Sequence, residues 1–236
     1  ASLAQPLAAG LANPVVCLDN RIREIIPQEL LDCRTTIRLA LQRVEQQRVE
    51  TCWSDAGDLT PPEWAYCGDA GYTGGTVLSL GYRVRLKATL DEVWQPLTRI
   101  GGDTGWYYGD SLWAIRGWVD RLIGGSGLRR GRRHPSELQT GDALDFFRVL
   151  EIEPGRRLLL VAEMKMPGEA TLEFRLAALP DGVTELTQTA RFLPHGLLGI
   201  AYWYGLDPFH KKIYQGMLRS IAAATGKPII SGPERV

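Results

Sequence analysis

The spacing of apolar and polar residues changes character twice along this chain. In the first segment Leu30, Cys33, Ile37, Leu41 and Val44 recur at three- and four-residue steps. That is one apolar stripe on a helix of about five turns, with Pro27 suited to its first position. Residues 51–76 show no period and are broken by glycine and proline. They carry Trp53, Trp64, Tyr66 and Tyr72, more rings than a free linker holds. The segment is expected to be an extended strap that docks its rings on the neighbouring domain. From residue 77 the period becomes two: Tyr82, Val84 and Leu86 alternate with Arg83, Arg85 and Lys87, a half-buried strand.

Two short helices follow. "TLDEVWQPLTRIGG" has Thr89 as N-cap with Glu92 three residues on. "DSLWAIRGWVDRLIGG" is expected to be capped by Asp110 and closed by Gly124 and Gly125. Strands are predicted over 142–153, 157–166, 169–179 and 183–193, separated by "EPGR", "MPGE" and "LPDG", which hold the proline and glycine that turns need. Asp207 and Pro208 then open a final helix, "PFHKKIYQGMLRSIAAAT", that stops at Gly226 and turns Ile213, Met217, Ile221 and Ala224 to one face. An antiparallel sheet with one dry face needs a cover, and this helix supplies it. A curved sheet gripping a helix leaves room for a ligand between them.

Composition removes several functions. Lys plus Arg number 27 against 27 Asp plus Glu, so no long-range field draws the chain to nucleic acid. No apolar run reaches the ~20 residues of a membrane span. Cys17, Cys33, Cys52 and Cys67 are widely spaced with no C-x-x-C pair, which argues against zinc. With no secretory signal in view, they are expected as reduced thiols of a cytoplasmic protein. His134, His195 and His210 lack metal-ligand spacing. The chain starts "ASLAQPLAAG" without methionine, as a piece of something longer would.

The densest chemistry is "GGSGLRRGRRHP", with Arg129, Arg130, Arg132, Arg133 and His134 behind glycines. Three roles stay open: a solvated loop, an inward guanidinium fork for a carboxylate or phosphate near Arg116 or Arg148, or ion pairs with Asp142 and Asp145 that fix the loop. Trp106 and Tyr107 precede a helix at the expected pocket mouth. Glu163, Lys165, Glu173 and Arg175 fall on neighbouring strands, either as cross-strand ion pairs on the wet face or with a glutamate turned inward as acid or base. On the other parity Met164, Phe174 and Gln188 are the expected cavity wall, Met164 as an adaptable lining, with Tyr202 above. The candidate ligand-binding set is therefore Trp106, Tyr107, Arg116, Arg133, Asp145, Arg148, Met164, Phe174, Gln188 and Tyr202. No acid–base or nucleophile pair is apparent, and catalytic residues stay unassigned.

The order of elements, with "RVRLKATLDEVWQPL", resembles the helix-grip fold of the START and birch-pollen-allergen superfamily. Over "GGDTGWYYGDSLWAIRGWVDRLIGG", "GLRRGRRHP", "GDALDFFRV", "AEMKMPGEATLEF" and "YWYGLDPFH" it looks like a START-like domain found C-terminal to NmrA-like short-chain dehydrogenase/reductase proteins. "NPVVCLDNRIREIIPQELLDCRTTIRLAL" is similar to the end of their Rossmann region. The resemblance implies an α+β helix-grip domain over 77–226, after a dehydrogenase-like helical segment (1–50) and the strap (51–76), with a tail at 227–236. It implies NAD(P) in the full-length parent. This chain has no strand-linked G-x-G-x-x-G and no Tyr-x-x-x-Lys pair, so no cofactor is expected here. The expected function is a binding module for a hydrophobic or amphipathic small molecule, accessory to the oxidoreductase- or epimerase-like domain. The alternative is a cyclase- or dehydratase-type enzyme working in the same cavity, and a structural or dimerising role comes third.

Overall fold

The computed structural model describes residues 19, 21–45, 62, 64, 77–125, 127 and 132–236. The chain divides into two units, Ala1–Gln46 and Gln47–Val236. In the first, the helix expected from Pro27 starts only at Cys33: a short α1 spans Ile22–Ile25 ahead of Pro27, and α2 spans Cys33–Glu45. Asp32 decides the start of α2. Its Oδ1 accepts from the Thr35 N–H at 3.0 Å and its Oδ2 from the Thr35 hydroxyl at 2.6 Å, a capping arrangement that Pro27 has no side chain to make. Ile37 and Leu41 of the stripe are exposed. Cys33 is an exposed free thiol, while Cys17, Cys52 and Cys67 lie outside the described residues.

The second unit holds β1 (Leu78–Leu86), α3 (Leu90–Thr98), α4 (Asp110–Leu122), β2 (Ala143–Leu144), β3 (Phe147–Glu153), β4 (Arg157–Ala162), β5 (Gly168–Leu179), β6 (Val183–Pro194), α5 (Gly196–Ala224) and β7 (Ile229–Arg235). The strands form a seven-stranded sheet in the order β2-β3-β4-β5-β6-β1-β7, antiparallel throughout. Register puts Leu158, Phe174, Gln188 and Tyr82 in one cross-strand row, and Leu160, Leu172, Ala190 and Leu80 in the next. All these side chains are buried, and α5 packs over them on β6 and β1. This is the α+β helix-grip arrangement expected from the sequence.

Four local outcomes shape the site. Thr89 and Glu92 make the predicted capping box. The Glu92 carboxyl is held down to about 2, first by the Lys227 ammonium and then by the Thr89 N–H. Its folded pKa is depressed, so its contribution is present above the ordinary carboxylate range and lost as pH falls towards 2. Glu92→Gln should therefore flatten this part of the acid-unfolding curve, followed by circular dichroism. At α4 the cap is Gly109, in the left-handed region at φ 73°, not the expected Asp110. The Asp110 carboxylate turns back to accept the Trp106 N–H at 2.9 Å.

The third outcome is the length of α5. Residues 196–206, ahead of the start expected at Asp207, are helical, and α5 runs 29 residues through Pro208. Proline removes one N–H, but the apolar face on both sides of it is buried, and packing outweighs the missing bond. The fourth is the expected tail at 227–236, which is strand β7 on β1, with Tyr82 opposite Arg235 and Leu86 opposite Ile229. Without it β1 would present an open edge. Of the strap, Pro62 and Trp64 are described, and the Trp64 indole donates to Glu169 Oε2 at 2.6 Å. Trp53, Tyr66 and Tyr72 lie outside the described residues.

Candidate functional site

A cavity of about 870 Å³ opens between α4, the β4–β5 connection and the first half of α5. Its origin is in the strand sequences. The inward parity that carries Leu158 and Leu160 on β4 reaches Ala162. On β5 the parity of Phe174 and Leu172 reaches Ala170, and on β6 Ala190 faces Leu172. Small residues at this end of the sheet leave unfilled the space that leucine and phenylalanine fill further along. Ala162, Ala170 and Ala190 form the floor, while Trp113, Phe147, Phe192, Tyr202, Trp203 and Tyr214 give it aromatic walls. Leu112, Ile115 and Val119 of α4, Ile123 just after it, and Leu198 and Phe209 of α5 line the cavity and are exposed, making an apolar rim. The volume lies in the range of small-molecule pockets, which are mostly apolar with a few polar groups.

Those polar groups are named by the lining. Arg116 Nη2 donates to the Lys165 carbonyl at 2.7 Å and its Nη1 approaches Asp120 Oδ1 at 3.4 Å, while Lys165 Nζ donates to the Ile123 carbonyl at 3.3 Å. His210 stacks on Tyr214 with ring centroids 5.5 Å apart and lies against Trp203 at 5.6 Å. Burial lowers the His210 pKa from its ordinary range, opposed by Asp207, and burial pushes the Tyr214 phenol up.

Of the expected set, Arg116, Met164 and Tyr202 line this cavity. The others do not. Trp106 is 1% exposed, sits in a ring cluster with Trp113, Phe146 and Phe147, and donates its indole N–H to Asp145 Oδ2 at 2.7 Å. A buried indole needs an acceptor, and Asp145 supplies it. The Tyr107 hydroxyl donates to the Pro96 carbonyl at 2.8 Å, which ties that ring to α3. Phe174 and Gln188 point inward as expected but lie a row too deep, under the second half of α5. There the Gln188 amide donates to Met217 Sδ at 3.7 Å. Arg148 is held by Glu163 at 2.6 Å and by the Gly141 carbonyl. Glu173, expected as an ion-pair partner or an inward acid, is the buried hub of pairs with Arg157 at 2.6 Å and Arg175 at 2.9 Å.

Of the basic run, Arg132 and Arg133 prove to be architecture. Arg133 pairs with both carboxylate oxygens of Asp142, at 3.0 and 3.3 Å. Arg132 donates to the carbonyls of Ile100 and Thr98 at 2.8 and 2.7 Å, closing the C-terminal end of α3. Burial draws this guanidinium down to about 10, while Asp142 and Asp145 act to raise it. Neither arginine lines the cavity, and Arg129 and Arg130 lie outside the described residues. Arg132→Met should destabilise the fold by about 2–4 kcal/mol in urea unfolding, since two charge-assisted bonds are lost. Arg132→Lys should recover only part of this, because an ammonium lacks the planar fork that spans two carbonyls.

The glycines ahead of that run do enclose an anion, but it is the chain's own. The Asp120 carboxylate, 1% exposed, accepts from the Gly127 N–H at 2.7 Å and the Lys165 N–H at 2.7 Å. A Cβ on Gly125 would lie 2.2 Å from Asp120 Oδ2, so only glycine lets the backbone pass there. Sequence reading missed Asp120 as this hub, although an acidic residue seven positions before Gly127 was the signal. It also missed His210, Trp203 and Tyr214. A helical period continued backward through Pro208 places Trp203, Leu206, His210, Ile213 and Tyr214 on one face.

A family model described as "Protein of unknown function (DUF2867)" matches residues 73–217. No curated protein matches the chain. Among solved structures it is similar to CalU16 from Micromonospora echinospora, at 20% identity over 66% of this chain and 89% of that one, with a TM-score of 0.33. It is also similar to the Zhui aromatase/cyclase from Streptomyces sp. R1128, at 16% identity over 64% and 94%, TM-score 0.40. A third is protein CV1439 from Chromobacterium violaceum, at 20% identity over 63% and 96%, TM-score 0.35. Among the described residues no helix is long and apolar enough to cross a membrane.

Proposed function

The chain belongs to the DUF2867 family, and we propose that it is a binding module for a hydrophobic or amphipathic small molecule. The observation that carries this is the apolar cavity of about 870 Å³ with an aromatic wall, large enough for a multi-ring molecule and left unfilled by side chains. Arg116 and Lys165 at one wall suit an acidic group on the ligand, with the apolar body against Met164 and Phe192. Held in this way, the molecule would be presented to an NAD(P)-dependent, oxidoreductase- or epimerase-like domain of the parent protein in the cytoplasm, a setting that suits the free Cys33 thiol.

The second reading is an enzyme of the cyclase or dehydratase kind working in the same cavity. His210 favours it, since a half-buried imidazole of lowered pKa among apolar walls is equipped to take a proton near neutral pH. The two share a first test. Pyrene, whose fluorescence reports the polarity around it, should bind saturably with a micromolar Kd, and a native mass spectrum of the purified protein should retain an apolar compound. Pyrene that fails to bind, with no retained compound, would refute both. Turnover of the retained compound by the chain alone would favour the enzyme.

A further inference from the structure

His210 lines the cavity with its hydrogen bonding left open. Its Nδ1 is sealed from solvent and has no hydrogen-bond partner in the structure, yet the ring lines the cavity. Nε2 is not among the sealed atoms, so the edge that carries it is the one that can meet the cavity. Stacking on Tyr214 and contact with Trp203 fix the plane in which that edge lies.

The position of the proton follows from the sealed side. A neutral imidazole has one N–H donor and one acceptor nitrogen. An N–H sealed without an acceptor forfeits a full hydrogen bond, and a doubly protonated ring would bury a charge as well. The ring is best satisfied with its lone pair at Nδ1 and its proton at Nε2, and the lowered pKa agrees with a neutral ring. His210 thus offers the cavity a directed donor beside the rings of Trp203 and Tyr214. Its complement is an acceptor oxygen that needs no proton of its own.

Resting on the binding reading above, we infer that His210 Nε2–H recognises a carbonyl oxygen on the ligand, so that the ligand class is an apolar, multi-ring molecule bearing a ketone, aldehyde or quinone oxygen. Leu206 of α5 and Phe192 of β6 line the same cavity, and their apolar surfaces offer no group that competes for that bond. Arg116 and Lys165 stand on α4 and the β4–β5 connection and serve an acidic substituent, if the ligand has one, at a separate point.

The test uses a pair of probes of nearly equal shape, 1-pyrenecarboxaldehyde and 1-vinylpyrene, titrated by fluorescence into the full chain. The quantity read is the ratio of the vinyl probe's Kd to the aldehyde's. In His210→Phe, which keeps the ring stack, this ratio should fall roughly five- to tenfold, as expected for one hydrogen bond. His210→Gln, whose amide nitrogen reaches the place of Nε2, should restore most of the ratio, and His210→Asn should not. A ratio unchanged within twofold in His210→Phe, or restored by Asn and not by Gln, would overturn the assignment while leaving the cavity reading intact. Failure of both probes to bind the unaltered chain would overturn the cavity reading and this one with it.

Discussion

Ala170→Trp is expected to weaken pyrene binding at least a hundredfold while the urea midpoint hardly moves. Ala170 stands on β5 opposite Phe192, at the floor of the cavity and half-buried. An indole there enters space now open to a ligand. Inserted into a packed core, such a group would cost about 1–3 kcal/mol in forced rotamers. Here it meets a void walled by Trp203, Tyr202 and Met164, and gains contact area instead. A hundredfold loss corresponds to about 2.8 kcal/mol, in line with displacing a ligand from most of its apolar contact. The combination of readouts carries the result. A lower midpoint would mean the substitution disturbed the sheet, and an unchanged pyrene Kd would show that pyrene binds elsewhere and sink the proposed cavity.

The second large effect should come from Asp120→Ala, with a loss of about 3–5 kcal/mol in folding stability. Removal of the carboxylate leaves the N–H groups of Gly127 and Lys165 without their acceptor, each at about 1–3 kcal/mol when buried, and takes away the ion-pair partner of Arg116. These are the ties between α4, the glycine loop and the residues that carry Met164 and Met166 into the cavity wall. Pyrene affinity should fall together with stability. Asp120→Asn keeps one acceptor oxygen in the same place and should lose about half as much. Equal stability of Asp120→Ala and the unaltered chain in urea would show that the loop and hairpin are held by other contacts.

Legibility in the sequence followed the range of the interactions involved. The capping box at Thr89 and Glu92 was plain because both partners are three residues apart. The strands from 147 to 194 were plain because their alternation and their Pro/Gly turns are local. Helix boundaries failed where two local signals competed. Pro27 was read as the start of a helix that Asp32 begins, and Pro208 as the start of a helix that runs through it. The difference lies in burial: Trp203 and Ile213, on the two sides of Pro208, are both covered, and a covered face holds a helix that propensity alone would break.

The candidate site shows the same division. Inward parity placed Met164, Phe174 and Gln188 on the dry side of the sheet; Phe174 and Gln188 lie there, whereas β4 ends at Ala162 and Met164 lines the cavity from the β4–β5 connection. Which row faces an opening depends on where α5 crosses, and that is set by its full length and by β7, neither visible in local spacing. Charged residues were the least legible. Arg132 and Arg133 read equally well as a clamp, a struts pair or a wet loop, because a guanidinium 2.7 Å from Thr98 O is made by a contact across 34 positions of chain. The sequence by itself determined the α+β class, the antiparallel strands and the apolar parity that makes a cavity wall. Only the tertiary structure decided that Gly125 and Gly127 enclose Asp120, that Arg132 braces α3, and that His210 meets the cavity. Periodicity acts between near neighbours, whereas a buried charge or imidazole is placed by whichever distant groups satisfy it.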